Sequence, residues 1–421
     1  MDADRTVRLR NRRQAREHGS RSSTRQQGTA GGEGHHTVTR PLLVIFLTIF
    51  VNLVGFGIIV PLLPFYAETF GASPLVVGLL FAVFSICQLL AAPALGDLSD
   101  RYGRRPVLIF SLLGTVVSFV MLAMAHSIAM LFLARIVDGL SGGNISTARA
   151  YVADVTEPKD RSRAYGIIGA AFGLGFICGP ALSGILAGYS YTAPIWAAAA
   201  MTLIATVMAW VWLPETVHRA AAGTGMPFRN MALMLQRPGL RRVLVIDFIY
   251  WFAFAIFQTT FALFVARRLG FDVSQTGYLF AGFGVLGAII QGAFIRPIVQ
   301  RLGDKPTFII GVACAVIGLA GTTFAYSLWV LVIALVPLAF GMGFGHPTVS
   351  SLVSRAGRGD EQGRVQGAAG AMESLGRALG PIWGSAALER FGEAMPYLSA
   401  AAFLGLTLLM SITYTVTDPN G

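Results

Sequence analysis

Five ionisable residues stand inside long apolar stretches, where a charge is costly to bury and is seldom kept without a use. Arg135 and Asp138 are three apart in Leu133-Ala134-Arg135-Ile136-Val137-Asp138-Gly139. Glu373 and Arg377 are four apart. On a helix either spacing puts both members of the pair on one face. Asp247 stands alone, about two turns into its apolar run. A carboxyl so placed can take up and release a proton, and a guanidinium beside it tunes the exchange. Glu373 is the first candidate for that role, with Arg377 next to it. The bland reading of each pair is a structural ion pair holding helices in register, and of Asp247 an acid snorkelling to the cytoplasmic surface. Asn52, Gln88, Asn144, Gln258, Gln291 and His346 add polar groups within the runs. Singly each serves to bridge helices. With Tyr250, Trp251, Phe254 and Phe257 on one flank of the seventh run, some of them suit the lining of an amphipathic cavity.

The elements that must position these groups follow from composition. The chain has 421 residues, 54% hydrophobic and only 13% charged, about half the charge of a soluble domain. The apolar residues fall in runs of about 20, the length that crosses a bilayer core as helix. Twelve spans are expected, over 41–65, 75–95, 106–125, 128–152, 163–187, 194–213, 241–265, 276–296, 306–325, 328–352, 364–387 and 395–416. The fold class is thus an all-α membrane protein. Residues 1–40, rich in Arg, Ser, Gln and Gly, are expected to be a disordered basic tail. A polar linker over 214–240 divides the spans into 41–213 and 241–416, and 417–421 form a short tail.

The net charge of +11 could suggest a nucleic-acid partner, but no folded basic domain supports one. Its distribution carries an orientation signal instead. With the N-terminus in the cytoplasm, the tail and even-numbered connections, with the end residues of the spans adjoining them, hold 26 of the 32 Lys and Arg, and the odd-numbered ones hold Arg267, Arg268 and Arg390. That asymmetry places both termini in the cytoplasm. Cys87, Cys178 and Cys314 lie far apart within apolar runs and read as packing residues. No phosphate-binding loop, nucleophile–base pair or metal-spaced ligand set points to an enzyme, a cofactor or a metal.

The chain repeats itself. Gly103-Arg104-Arg105-Pro106 returns as Gly303-Asp304-Lys305-Pro306 at an offset of 200. Gly166, Gly175, Gly179 and Pro180 return as Gly367, Gly376, Gly380 and Pro381 at an offset of 201. Glu373 and Arg377 have Phe172 and Phe176 at the matching positions, so the repeat does not dictate their charges. Two parallel six-helix repeats are a transporter architecture, with the substrate site between them near the midplane.

Three segments carry a family resemblance. The loop Gly96-Asp97-Leu98-Ser99-Asp100-Arg101-Tyr102-Gly103-Arg104-Arg105-Pro106 resembles the cytoplasmic loop signature of the major facilitator superfamily. Gly166-x8-Gly175-x3-Gly179-Pro180-x2-Ser183-Gly184 resembles the antiporter signature of drug–proton exchangers, with Ser183 replacing one glycine. The segment around Arg135 resembles the span-4 motif whose arginine is implicated in proton transfer. Together they are similar to the twelve-span drug–proton antiporters, the tetracycline-exporter-like branch above all, over residues 41–416. The resemblance implies the major facilitator fold, two pseudo-symmetric six-helix halves. It also implies proton-coupled efflux of a small amphipathic compound across the cell membrane, by a monomer. It makes Asp100, Arg101, Arg104, Arg105 and Asp154 a charge cluster that latches the halves when the site faces outward. Tetracycline exporters carry acids in spans 1 and 3 where this chain has Asn52 and Ser118. That departure weakens tetracycline as substrate and moves the proton site toward Asp138 or Glu373. A facilitator-type importer or metabolite exchanger on the same fold is the alternative.

Overall fold

Prolines and short caps set where the helices begin. Pro74, Pro194, Pro238 and Pro396 occupy first-turn positions, where a missing N–H costs nothing. Ser127 and Ser327, at the repeat offset of 200, each cap a helix by accepting from the backbone N–H three residues on. Asp272 and Gln275 form a reciprocal capping box. The computed structural model describes residues 39–142, 144–156, 161–216, 233–357 and 361–413. The expected basic tail (apart from its last two residues), most of the linker and the tail 417–421 lie outside the described residues.

The helices run in chain order. They are α1 (Thr39–Glu68), α2 (Pro74–Tyr102), α3 (Arg104–Ala123), α4 (Ile128–Ser141), α5 (Asn144–Val155), α6 (Arg161–Ala187) and α7 (Ala193–Trp212). After the linker come α8 (Pro238–Leu269), α9 (Val273–Ile289), α10 (Ile295–Leu302), α11 (Asp304–Thr322), α12 (Leu328–Ala356), α13 (Gln362–Phe391) and α14 (Met395–Ile412). A π-helical turn, Ile290–Phe294, joins α9 to α10 and carries Gln291. No strand occurs among the described residues.

Ten of the expected spans are long and apolar enough to cross a membrane. The other two are those that carry the charge pairs. The fourth is divided at Gly142 into α4, 14 residues long, and α5, 12 residues long. The eleventh is one 30-residue helix, α13, which holds Arg364, Glu373, Arg377, Glu389 and Arg390 along with its glycines. Exposed apolar side chains such as Phe110, Ile317, Ile333 and Leu409 give the outer surface the character lipid requires, and Tyr326, Trp329 and Trp210 supply amphipathic rings of the kind enriched at membrane interfaces.

Packing repeats as the sequence does. In the first set, α1–α7, helix α3 packs on α4 and α7; in the second, α8–α14, helix α11 packs on α12 and α14. A Cβ on Gly179 would lie 2.6 Å from the Val54 carbonyl and 2.7 Å from Gly57 Cα, so α6 meets α1 nearly backbone to backbone. A Cβ on Gly380 would lie 2.6 Å from the Phe252 carbonyl, which is the same contact made by α13 on α8. Gly103 and Gly303 both have positive φ, 111° and 84°, a backbone that only glycine adopts without strain.

Bonds joining the two sets are found at the end away from the linker. Helix α2 packs on α13 and α6 on α9. A Cβ on Gly78 would meet the Pro381 carbonyl and Ser385, and one on Gly277 would meet Gly184 and the Pro180 carbonyl. Glu389 of α13 accepts from Ser73 Oγ (2.9 Å) and from the Leu75 backbone N–H (2.8 Å) at the start of α2. Arg267 reaches Glu68 at 3.7 Å.

Candidate functional site

In the first set the charge pair is closed. Arg135 Nη1 donates to Asp138 Oδ2 at 2.7 Å, on one face of α4 as the spacing predicts. Arg135 is 1% exposed, and its guanidinium lies 4.2 Å from the centre of the Phe84 ring of α2. Its Nε and Nη2 have no hydrogen-bond partner among the described residues. Ser118 donates to the Ala134 carbonyl at 2.8 Å and joins α3 to α4. Gln88 donates to the Gly142 carbonyl at 3.0 Å, a bridge between helices. Asn52 is half-buried on α1, and the side chain of Asn144 lies outside the described residues.

In the second set three ionisable groups gather where α8 and α13 cross. Arg377 stands 3.8 Å from Glu373, beyond hydrogen-bonding reach, and donates instead to Ser374 Oγ at 3.2 Å. Both charged side chains are partly exposed, 31% for Arg377 and 24% for Glu373. Arg377 also lies 5.1 Å from the Trp251 ring centre, and Trp251 meets His346 of α12 edge to face at 5.1 Å. One turn before Trp251 on α8 is Asp247, 1% exposed, and Glu373 and Arg377 act on it electrostatically. Neither of its carboxyl oxygens has a hydrogen-bond partner among the described residues, and nor does Trp251 Nε1.

The structure therefore corrects the snorkelling reading of Asp247. It is the tenth residue of α8, about 14 Å along the axis at 1.5 Å per residue, and at 1% exposure its side chain is buried against neighbouring helices instead of reaching a surface. The remaining cavity candidates divide. Gln258 is half-buried on α8, His346 is exposed, and Gln291 is exposed on the π-helical turn.

At the linker end the loop cluster is assembled within the first set. Arg104 Nη1 is 2.5 Å from Asp100 and its Nε is 3.1 Å from Asp154; Ser99 accepts a further bond at 2.6 Å. Arg105 donates to the Trp210 carbonyl, while Arg101 is exposed. The second set repeats this tie with its polarity reversed. Asp304, at the position of Arg104, pairs with Arg355 at 2.6 Å and accepts from Ser351 at 2.8 Å. The reversal has a physical cause. An acid is favourable in the first turn of a helix, and Asp304 supplies one for α11. Arg104 cannot do so for α3, and there Glu215 accepts from the Arg104 backbone N–H at 2.9 Å.

Within the glycine motif of α6, Gly175 and Gly179 pack on α1, Gly184 meets α9, and Gly166 has open space where a Cβ would point. Pro180 interrupts the helix interior.

A model of the Major Facilitator Superfamily matches residues 45–381 and 243–421. The chain belongs to that superfamily. This major facilitator is 32% identical over 350 residues to the tetracycline resistance protein, class C, of Escherichia coli, covering 81% of this chain and 88% of that one. It is 28% identical over 386 residues to multidrug resistance protein 1 of Bacillus subtilis, covering 89% and 96%. The crystal structure of the human organic anion transporter MFSD10 (TETRAN) matches with a TM-score of 0.70 at 26% identity, over 89% of this chain and 99% of that one. The major facilitator fold and a secondary-transport role follow for this chain.

Residues that motif reading missed are Glu389, Glu215 and the Asp304–Arg355 pair. Each acid sits at a helix end beside a span, and that position is the only signal the sequence offers.

Proposed function

We propose that this major facilitator works in the cell membrane with both termini in the cytoplasm. It exports a small amphipathic compound in exchange for protons by alternating access. The observation that carries the reading is the trio Asp247, Glu373 and Arg377 where α8 and α13 cross, with Asp247 buried and Glu373 and Arg377 partly exposed. The buried acid, Asp247, has no hydrogen-bond partner among the described residues. A buried carboxylate without hydrogen bonds is expensive, and a proton removes that cost. The 26-to-3 charge asymmetry supports a cytoplasmic linker end. The ties at the opposite end then support an inward-facing state, closed to the outside. In the outward-facing state the Asp100–Arg104–Asp154 cluster would latch the cytoplasmic end. The names of the relatives, a tetracycline resistance protein and a multidrug resistance protein, support export. Arg135 and Asp138 contribute a second, closed pair facing the substrate path.

The test uses everted membrane vesicles holding the chain. Respiration-driven accumulation of an exported dye should collapse on adding a protonophore. Glu373→Gln should abolish accumulation while the protein remains in the membrane. Accumulation that survives both changes overturns proton-coupled export.

A further inference from the structure

Among the described residues, the ionisable groups of these two pairs and of Asp247 comprise three carboxyls, Asp138, Asp247 and Glu373, and two guanidiniums, Arg135 and Arg377. Asp138 has Arg135 at hydrogen-bonding distance, whereas Asp247 and Glu373 share one guanidinium, that of Arg377. The two carboxyls differ in setting. Glu373 is 24% exposed and 3.8 Å from Arg377; Asp247 is buried, and neither of its oxygens has a hydrogen-bond partner among the described residues. Among the described residues, the charged groups acting on Asp247 are these two from α13. Helix α12 adds His346, whose ring meets Trp251, and α8 itself adds Tyr250.

We propose that Arg377 is a shared counter-ion that couples two different carboxyls: Glu373 receives an organic monocation and Asp247 carries the proton. This rests on the reading of the chain as a proton-coupled exporter. Before substrate arrives, Asp247 is protonated and Arg377 neutralises Glu373, so the trio is neutral. A cation that pairs with Glu373, its apolar body against Trp251 and His346, frees the guanidinium. Arg377 then turns to Asp247, whose O–H bond breaks, and the proton leaves past the partly exposed Glu373 and Arg377 side chains to water on the cytoplasmic side. The trio is neutral again, now with two carboxylates, one guanidinium and one bound cation. One proton leaves for each cation that enters. Substrate and proton thus compete without sharing an atom, and Arg377 is the positioning residue between them.

The experiment uses the full chain in lipid nanodiscs with tetraphenylphosphonium, a monovalent cation that has no proton to lose. In weak buffer with a pH indicator, wild type should release about one proton per cation bound. Its affinity should rise about tenfold for each pH unit through the range where Asp247 titrates, as linkage of one proton to one ligand requires. Arg377→Met should still bind the cation, because protonated Asp247 and ionised Glu373 already balance it, but release no proton and lose the pH dependence. Asp247→Asn should bind weakly at every pH, since the guanidinium then gives up the Glu373 carboxylate to the cation and gains no other carboxylate in exchange. If Arg377→Met releases a proton as wild type does, the proton is on Glu373 and the relay is overturned while export stands. If wild type exports anionic or neutral compounds in vesicles but does not bind the cation, the assignment of Glu373 is overturned. Protonophore-insensitive export overturns the underlying reading, and the relay with it.

Discussion

Glu389 provides a quantitative handle on the state described. Its carboxylate is a helix cap supplied from the other set of helices, accepting from Ser73 Oγ at 2.9 Å and from the Leu75 N–H at 2.8 Å. Losing a side-chain cap costs about 1 kcal/mol. A hydrogen bond to a charged group adds about 1.5–3 kcal/mol when sheltered, and Glu389 is exposed, which reduces that share. A net cost of about 1.5 kcal/mol follows, and it falls only on the state in which α2 and α13 touch here. Glu389→Ala should therefore raise the open-to-closed ratio at this end about tenfold. Ser385 is 0% exposed at the same crossing, so Ser385→Cys, with Cys87, Cys178 and Cys314 replaced, gives a probe that reacts only on opening. A membrane-impermeant maleimide should label it about tenfold faster in Glu389→Ala than in the parent. Glu389→Gln, which keeps an acceptor, should fall between the two. Glu393 pairs with Arg268 at 3.4 Å inside the second set, so Glu393→Ala should leave the rate unchanged. Equal rates in parent and Glu389→Ala, or equal increases in Glu389→Ala and Glu393→Ala, would refute the reasoning.

Three further outcomes follow from the geometry. Gly179→Ala drives a Cβ into the Val54 carbonyl and Gly57 and should cost about 1–3 kcal/mol, lowering the melting temperature in detergent; Gly166→Ala, into open space, should leave it unchanged. Arg104→Asp and Asp154→Arg should each impair export singly, and the double exchange should recover it in part, because the second set already works with Asp304 and Arg355 in those places. Asp138→Asn leaves Arg135 buried over Phe84 without its counter-charge and should destabilise the protein by about 3–5 kcal/mol, read as loss of folded protein on heating.

Much of this was legible because helical spacing and repeat offsets are strict. A spacing of three had to bring Arg135 and Asp138 together, the loop spacing put Arg104 within reach of Asp100, and the family resemblance added Asp154. The glycines of α6 and α13 marked backbone-close crossings, although spacing could not say that Gly166 faces open space. Depth was harder to read. The apolar run suggested that Asp247 lay near an end, but α8 begins at Pro238, and the added residues carry Asp247 inward. Contacts that depend on two distant helix ends left almost no pattern. Glu389 bonds a residue 316 positions away, and the reversed Asp304–Arg355 pair follows from which set has a separate acid to cap its helix. The division of the fourth span at Gly142 was likewise hidden, because Gly142-Gly143-Asn144 suits a membrane helix as well as a break in one.

The two stretches that carry the Arg135–Asp138 and Glu373–Arg377 pairs are also the two that fall short of independent membrane spans by length and composition. Helix α4 has 14 residues, about 21 Å of helix against a 30 Å core, and each mid-helix charge opposes insertion by about 2.5–3.5 kcal/mol. Such a segment cannot wait alone in lipid for its neighbours. It must enter with α3 and with Phe84 of α2 already in place to cover Arg135. Helix α13 in turn needs α8, whose Trp251 receives Arg377. Both charged stretches thus depend on more apolar neighbours to cover their charges in the bilayer.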